Sequence, residues 1–291
     1  MSNQVTVARV AQFTTDVRHL LQQGMSRMRG KVQERSHRGK AAVAVDQVGK
    51  VEMLDVTTRH ADTPIVETPH ARRWVFPQHK IIADFIDTED MLELLWDPQG
   101  PYREAQAKAA GRKIDQILLA AATGTSVIGE TGGSTEAFDT ANYQIATGSV
   151  GLNTDKIKTA IQKMQGADVD VDQEQIFLAI ASKQAKDLMD DPQYINTDYV
   201  TDAVLPDGSL KPFMGVNIIR ISDNILPLSS TTRSCIMWTA SGLHLGIWND
   251  YEAMVDRRPD KGNLWQVMGK MSIGATRIEQ GRVIEILCTE S

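Results

Sequence analysis

The sequence has few of the residues that build disulfide frameworks, metal centres or membrane spans. Its 291 residues include only two cysteines, Cys235 and Cys288, which are far apart and lack CxxC spacing. We interpret both as small buried hydrophobic residues in a reducing compartment. There is no run of about eighteen apolar residues, and the N-terminal stretch is too polar for a secretory signal. The sequence therefore predicts neither a membrane span nor a signal peptide.

Motifs for catalysis and cofactor binding are also missing. The sequence has no GxxxxGKS/T loop, HExxH helix or GxSxG turn, and GETGG at 129–133 lacks the lysine of a phosphate-binding loop. Asp168, Asp170 and Asp172 resemble the start of a calcium loop, but Gln173 and Ala179 stand where glycine and glutamate are required. We predict no catalytic residue, no cofactor and no metal. A metal-dependent enzyme that uses these three aspartates remains a distant alternative.

Charge is unevenly distributed along the chain. The net charge is −6, yet residues 1–40 hold eight Lys/Arg against two acidic residues, or +6. The remaining residues hold 23 basic and 35 acidic side chains, or −12. A basic arm on an acidic body predicts that the arm faces something anionic. The candidates are an acidic patch on a neighbouring subunit, a partner protein, or nucleic acid.

The N-terminal forty residues divide into a helix and an arm. Residues 5–23 show the apolar spacing of one helical face. The apolar positions are Val10, Phe13, Val17, Leu20 and Leu21. The following stretch to Lys40 is basic and has almost no apolar face, which indicates an extended or mobile arm. A solvated arm and an interaction arm fit it equally well.

Residues 41–86 predict extended β structure that depends on a partner. Valines alternate with polar residues, and Pro64, Pro69 and Pro77 forbid a long helix. RRWVF at 72–76 sets two arginines beside two aromatic residues. An isolated two-stranded ribbon is marginal in water, so we expect it to lie on another surface. This is the first indication of oligomerisation.

A long helix follows, and after it comes a mixed domain. Asp97 to Pro101 breaks the chain, and residues 102–123 run without proline to a stop at Gly124, which predicts about 22 helical residues. Residues 124–151 predict a long loop, with a short strand near 143–146. Residues 152–250 alternate helical and strand-like segments and predict an α/β domain. The end, from Leu264, predicts a long β-hairpin turning near 279–281.

The long helix and its entry resemble tailed-bacteriophage major capsid proteins of the Hong Kong 97-type fold. The similarity lies in DPxxxYxxAxxxAxGRxxDxxxxxAxxG at 97–124, in LMDDPQYINTDY at 188–199, in GVNIIRISDNILPL at 215–228 and in the closing TRIEQGRVIEILC. This resemblance implies an α+β capsid fold divided by element order. The expected parts are an N-terminal arm at 1–40, an extended β-hairpin loop at 41–86, a peripheral domain with the spine helix at 87–151 and 251–291, and an axial α/β domain at 152–250.

The resemblance also implies function and partners. The protein would self-assemble through pentamers and hexamers into an icosahedral head enclosing double-stranded DNA, without catalysis and without a membrane. Expected partners are scaffolding, portal and decoration proteins, and the expected location is the virion, with the host cytoplasm before assembly. An encapsulin-like nanocompartment shell is the main alternative. The residues predicted to contact another subunit are Arg27, Arg29, Lys31, Arg35, Arg59, Arg72, Arg73, Trp74 and Phe76.

Overall fold

The computed structural model describes residues 22–55, 65–86, 99–195 and 210–290, together with the single residues 58 and 63. The predicted N-terminal helix therefore lies outside the described residues. The helices are α1 Gln99–Thr123, α2 Thr140–Tyr143, α3 Thr154–Gly166, α4 Ser182–Asp190 and α5 Pro192–Ile195. The strands are β1 Gln33–Ser36, β2 Ala42–Val48, β3 His70–Val75, β4 Gln78–Ile86, β5 Ser126–Ile128, β6 Ser134–Glu136, β7 Gln144–Ile145, β8 Ile176–Ile180, β9 Val216–Arg220, β10 Leu228–Ser229, β11 Thr232–Thr239, β12 Leu243–Arg258, β13 Leu264–Arg277 and β14 Val283–Thr289.

Helix α1 confirms the predicted long helix and begins slightly earlier than expected. It has 25 residues, about 37 Å at ~1.5 Å per residue. Pro101 falls in the first turn, where its missing amide hydrogen costs nothing. The predicted apolar face is buried in its second half, at Ala110, Ile114, Ile117 and Leu118. Before Ala110 the helix is mostly open to solvent, apart from the buried Gln106.

A six-stranded sheet forms the centre of the mixed domain. The strand order is β7-β14-β11-β8-β9, with β10 attached to β11. Every residue of β8 is buried, as its continuous run IFLAI predicts for a strand covered on both faces. The side chain of Asn153 caps α3 by accepting from the amide of Lys156, as its position predicts. At the start of α4, Ser182 donates its amide and hydroxyl to Asp223, and the N-cap residue itself makes no side-chain capping bond.

The predicted C-terminal hairpin is wrong. Strand β13 pairs with β12 and β4, whereas β14 pairs with β11 and β7 in the six-stranded sheet. A 3-10 turn at Gln280–Arg282 redirects the chain between the two sheets. The hairpin actually joins β12 to β13 through residues 259–263, where Gly262 and Asn263 take up the left-handed backbone conformation.

These pairings also bear on the expected domain boundaries, which stay a prediction. Strand β12 runs through the predicted division between residues 250 and 251. Strand β14, expected in the peripheral domain, lies between β7 and β11 in a sheet whose other strands, β8 to β11, come from residues of 152–250. Alternating apolar residues show which face of a strand is buried, but they carry no information on which strand lies beside it.

The segment 41–86 is anchored to its own chain. Strands β2 and β3 form a ribbon that continues through β5 and β6 into a four-stranded sheet. Strand β4 is the edge of another four-stranded sheet, in the order β1-β12-β13-β4. The expected glycine-rich loop at 124–151 is therefore partly a hairpin, while its predicted short strand is confirmed as β7.

The described part of the arm, residues 22–40, is docked. Strand β1 pairs in parallel with the start of β12, and Met28 and Val32 are buried. The solvated-arm interpretation is wrong for these residues. Its error came from counting apolar residues, because the arm is held mainly through its backbone.

Candidate functional site

Residues 49–69, which we call the outer loop, connect β2 to β3. Its two ends meet where the Gly49 amide donates to the Pro69 carbonyl at 2.7 Å. Met53 is 101% exposed and Ile65 is 91% exposed, and Leu54 and Val66 are also exposed. The loop sequence holds four acidic and two basic residues. The outer loop thus combines an acidic sequence with exposed apolar side chains among its described residues.

A cavity of about 230 Å³ lies beside the middle of α1. Below we call it the helix cavity; its walls come from α1, β4, β12 and β13. Its apolar lining includes Ile81, Ile82, Tyr251 and Met271, and its basic lining is Lys80, Lys113 and Lys270. Ile81 is 71% exposed. An exposed apolar surface ringed by one sign of charge is typical of a protein-binding site.

Tyr251 is the unusual residue of this cavity. Its hydroxyl is buried without a hydrogen-bond partner among the described residues. Burial raises the pKa of this phenol above its ordinary value, with a smaller opposing effect from Arg103. Its ring lies over Gly269, where an added Cβ would come within 2.5 Å. A buried polar atom without a partner costs free energy, so the cavity favours a ligand group that can hydrogen-bond to it.

The aromatic and arginine residues of RRWVF mostly make contacts within the chain. Arg72 binds Asp46 at 2.6 Å, and Arg73, 9% exposed, forms an ion pair with Glu136. The Trp74 ring nitrogen donates to the Gly129 carbonyl at 2.7 Å. These arginines therefore already have acidic partners within the chain, and their contact with another subunit stays a prediction. Phe76, 44% exposed, is the member of the set that remains most available.

The predicted arm residues are also largely engaged. Arg29 binds Asp250 through two nitrogens, at 2.9 and 2.5 Å, and this hydrogen bonding lowers the pKa of Asp250. Lys31 donates to the Arg27 carbonyl at 2.8 Å. Arg35 is exposed. Arg59 lies outside the described residues.

The GRxxD part of the helix motif forms the docking site of the arm. Asp115, fully buried, accepts hydrogen bonds from the amides of Arg27 and Met28, from the Ser26 hydroxyl and from Gln23. Arg112 donates to the Gln22 side chain and to the Gln23 carbonyl. At Gly111 an added Cβ would lie 2.8 Å from the Ser26 nitrogen. The glycine therefore lets the arm backbone cross the helix, and the carboxylate holds it there.

The sequence shows this motif but does not reveal its role in docking the arm. The signal was present, because glycine is unfavourable inside a helix and a buried aspartate needs donors. Two of the donors are backbone amides of an arm 87 to 88 residues away in sequence. Backbone amides have no sequence signature, so the arm could not be identified as their source.

The residues tested for chemistry do not assemble into a site. Asp168, Asp170 and Asp172 are exposed, and Asp168 forms an ion pair with Lys50 at 3.0 Å. Within the described ranges, no three or more His, Cys, Asp or Glu side chains are arranged to hold a metal ion. In the same ranges, no helix combines the length and apolarity needed to cross a membrane. Cys235 and Cys288 are buried and free.

Comparison with known proteins gives a consistent result. The family model described as phage capsid protein matches residues 5–290. The capsid of cyanophage P-SCSP1u is similar, at a TM-score of 0.74 and 14% identity, over 100% of this chain and 97% of that one. The Ralstonia phage GP4 capsid reaches a TM-score of 0.73 at 11% identity, over 98% of this chain and 96% of that one. No curated protein matches the sequence.

A third similar structure comes from an empty GTA particle capsid. Its TM-score is 0.70 at 12% identity, over 99% of this chain and 98% of that one. At such identities the structures show a shared Hong Kong 97-type capsid fold, and the sequence family carries the function. The family consists of structural proteins that assemble with copies of themselves into the shell of the virion. The chain belongs to the phage capsid protein family and is a major capsid shell protein.

Proposed function

We propose that copies of this chain join through the outer loop of one copy and the helix cavity of the next, repeating this contact around pentamers and hexamers of an icosahedral head. The observation that carries the proposal is complementarity within one sequence. The loop is acidic with exposed apolar side chains, and the cavity is apolar with three lysines. Such a head-to-tail contact closes into rings when the rotation between copies is right.

The magnitudes favour this contact. Burial of Met53, Leu54, Ile65 and Val66, scaled by how exposed each one is, would contribute roughly 4–9 kcal/mol in total, before the cost of ordering the loop. Ion pairs at the rim add little affinity but select the register of the contact. The contact is expected to be weak singly and strong when repeated around a closed shell.

The intrachain contacts suggest how the predicted interface residues take part. Arg72, Arg73 and Trp74 would orient the base of the outer loop, while Phe76 would contact the neighbouring subunit directly. Arg27, Arg29, Lys31 and Arg35 would keep the arm in place, and Arg59 would add a positive charge within the loop. This division follows from which of the described side chains already have partners.

The proposal also covers the domains of the subunit, its binding partners and its location. We assign α1 and the sheet of β4, β12 and β13 to a peripheral domain, and the six-stranded sheet including β14 to an axial domain around the ring axes. Double-stranded DNA would occupy the inner face, with scaffolding, portal and decoration proteins as further partners. The subunit would reside in the host cytoplasm before assembly. Its role would be architectural, without a catalytic step.

Charge reversal with rescue tests the proposed contact. Glu52→Lys with Asp55→Lys in the loop should abolish shells in size-exclusion chromatography and negative-stain microscopy. Lys80→Glu with Lys113→Glu in the cavity should do the same. The four changes together restore complementarity and should restore shells. A matched control replaces the cavity changes with Lys158→Glu and Lys186→Glu, which restore the net charge without restoring the contact.

Two results would count against the proposal. Normal shells from either double variant would show that the contact is not needed, and rescue by the control would show that only net charge matters. The contents of purified particles address the alternative. DNA inside the particles supports a phage head, whereas protein cargo without DNA would favour an encapsulin-like compartment.

A further inference from the structure

Two histidines meet where the arm lies on the sheet. The Nε2 atoms of His37, just after β1, and His244, on β12, are 2.9 Å apart. The His37 ring also packs against Trp248, with ring centroids 5.4 Å apart, and the Trp248 nitrogen donates to the Gly39 carbonyl. His244 is fully buried, and its Nδ1 has no hydrogen-bond partner among the described residues. The arm therefore covers a buried imidazole.

This contact has a fixed proton requirement. Two nitrogens at 2.9 Å can share only one hydrogen, so one Nε2 donates and the other accepts. Protonation of both rings would turn both atoms into donors that face each other with like charge. A doubly protonated pair is therefore incompatible with the docked arm, whereas a released arm lets both rings reach water.

The described charged neighbours of the two rings are positive. Arg35 on β1 is the charged neighbour that acts on both rings. The strand neighbours of His244 are Gln33 on β1 and Thr276 on β13, which are uncharged. On the α1 side, the Asp115 carboxylate already accepts hydrogen bonds from residues 23–28. Gly246 completes the fit, because a Cβ there would come within 2.9 Å of the His37 ring.

We propose that the His37–His244 pair is an acid-sensitive latch that holds the arm, from β1 to Gly39, against β12 and releases it when both rings become protonated. The latch acts within one subunit and does not depend on the loop contact proposed above. Release would free a basic segment containing Arg35, Arg38 and Lys40 for other contacts. The shell protein would thereby gain a second arm state that depends on pH.

The direction and size of the pH effect on arm docking follow from the linkage between proton binding and docking. Burial, followed by the positive charges of His37 and Arg35, lowers the pKa of His244 to about 4, and burial also lowers the pKa of His37. The released arm binds more protons below about pH 6.5, so docking weakens as pH falls, by about tenfold per pH unit for each ring. For His244, the fall from 6.5 to about 4 corresponds to roughly 300-fold in total.

Hydrogen exchange on the purified full-length protein tests the latch. Amides of residues 33–39, corrected for intrinsic exchange, should lose protection between about pH 6.5 and about pH 4.5, while those of residues 114–122 in α1 stay protected. His37→Gln should reduce the slope of protection against pH by one proton. The double variant His37→Gln with His244→Gln should remove the pH dependence. His79→Gln, at an exposed histidine on β4, should behave as wild type.

If the protection of residues 33–39 in the wild type does not change with pH, the latch is overturned. An unchanged pH dependence in the double variant would overturn it equally. If the double variant fails to fold, the His37→Gln slope decides alone, because His37 is only partly buried and tolerates replacement. Loss of α1 protection in parallel with the arm would indicate general acid unfolding and would also contradict the proposal.

Discussion

Replacing Asp115 with alanine should release the arm from helix α1 while the core stays folded. The carboxylate accepts from the amides of Arg27 and Met28 at 3.0 to 3.2 Å, and from the Ser26 hydroxyl and Gln23 amide at 2.5 Å. Among the described residues of α1, Asp115 makes more hydrogen bonds to the arm than any other. Removing this one side chain therefore removes most of the polar attachment of the arm to α1, while the pairing of β1 with β12 remains.

The loss of docking free energy in Asp115→Ala can be estimated from these contacts. A hydrogen bond to a charged group contributes about 1.5–3 kcal/mol, but a released arm regains water at its donors, so we discount the set to about 3–5 kcal/mol. Burial of Met28 and Val32 favours docking by roughly 3–6 kcal/mol, less the entropy of ordering the arm. Docking should weaken on the order of 1,000-fold, since each 1.4 kcal/mol is a factor of ten.

Limited trypsin digestion measures this release directly. The arm offers cleavage sites at Arg27, Arg29, Lys31 and Arg35, and cleavage requires the backbone to leave α1 and β12. Asp115→Ala should be cleaved there much faster than wild type. Asp115→Asn should be intermediate, because its amide keeps one acceptor and turns a donor towards the arm's donors.

A matched control lies on the same helix. Glu104→Ala removes an exposed carboxylate that pairs with Lys108 and should leave the cleavage rate unchanged. Equal cleavage of Asp115→Ala and wild type would refute the role assigned to the carboxylate. Loss of the cooperative thermal transition in Asp115→Ala would also refute it, because the core would then depend on the arm.

Two further substitutions give distinct outcomes. Gly111→Ala should raise helix stability by up to about 1 kcal/mol yet speed trypsin cleavage of the arm, because its Cβ would meet the Ser26 nitrogen at 2.8 Å; slower cleavage would contradict the close-approach explanation. Arg277→Met should lower the free energy of unfolding by about 2–4 kcal/mol, because the buried guanidinium donates to the Ala122 and Gly124 carbonyls at the end of α1. In denaturant titrations the exposed Arg258→Met should change stability by less than about 1 kcal/mol, and equal losses in both variants would count against the capping role.

Much of the secondary structure was predictable because it depends on local physics. The long helix, the Asn153 cap and the buried strand β8 each follow from residue spacing or from one capping side chain. The helix motif also carried the family resemblance, which the match over residues 5–290 confirms. These features persist because they require no information about distant parts of the chain.

Strand partners and the functional surfaces were less predictable. The C-terminal hairpin was wrong because β13 and β14 have similar apolar patterns, and the pattern does not encode the neighbouring strand. The helix cavity draws its lining from α1, β4, β12 and β13, which meet only after folding. Its apolar and basic residues look like ordinary surface positions when read one segment at a time.

The sequence by itself determined that this chain has a basic N-terminal segment and a long helix of the capsid type, and it predicts a loop that needs a partner. Only the tertiary structure decided that the arm is docked, with Asp115 holding its backbone and His37 covering His244. It also decided that Arg72 and Arg73 serve the base of their own loop. The physical reason is the same in each case. Backbone amides, shared protons and ion-pair partners are set by distances across the fold, and those distances are not written in local sequence.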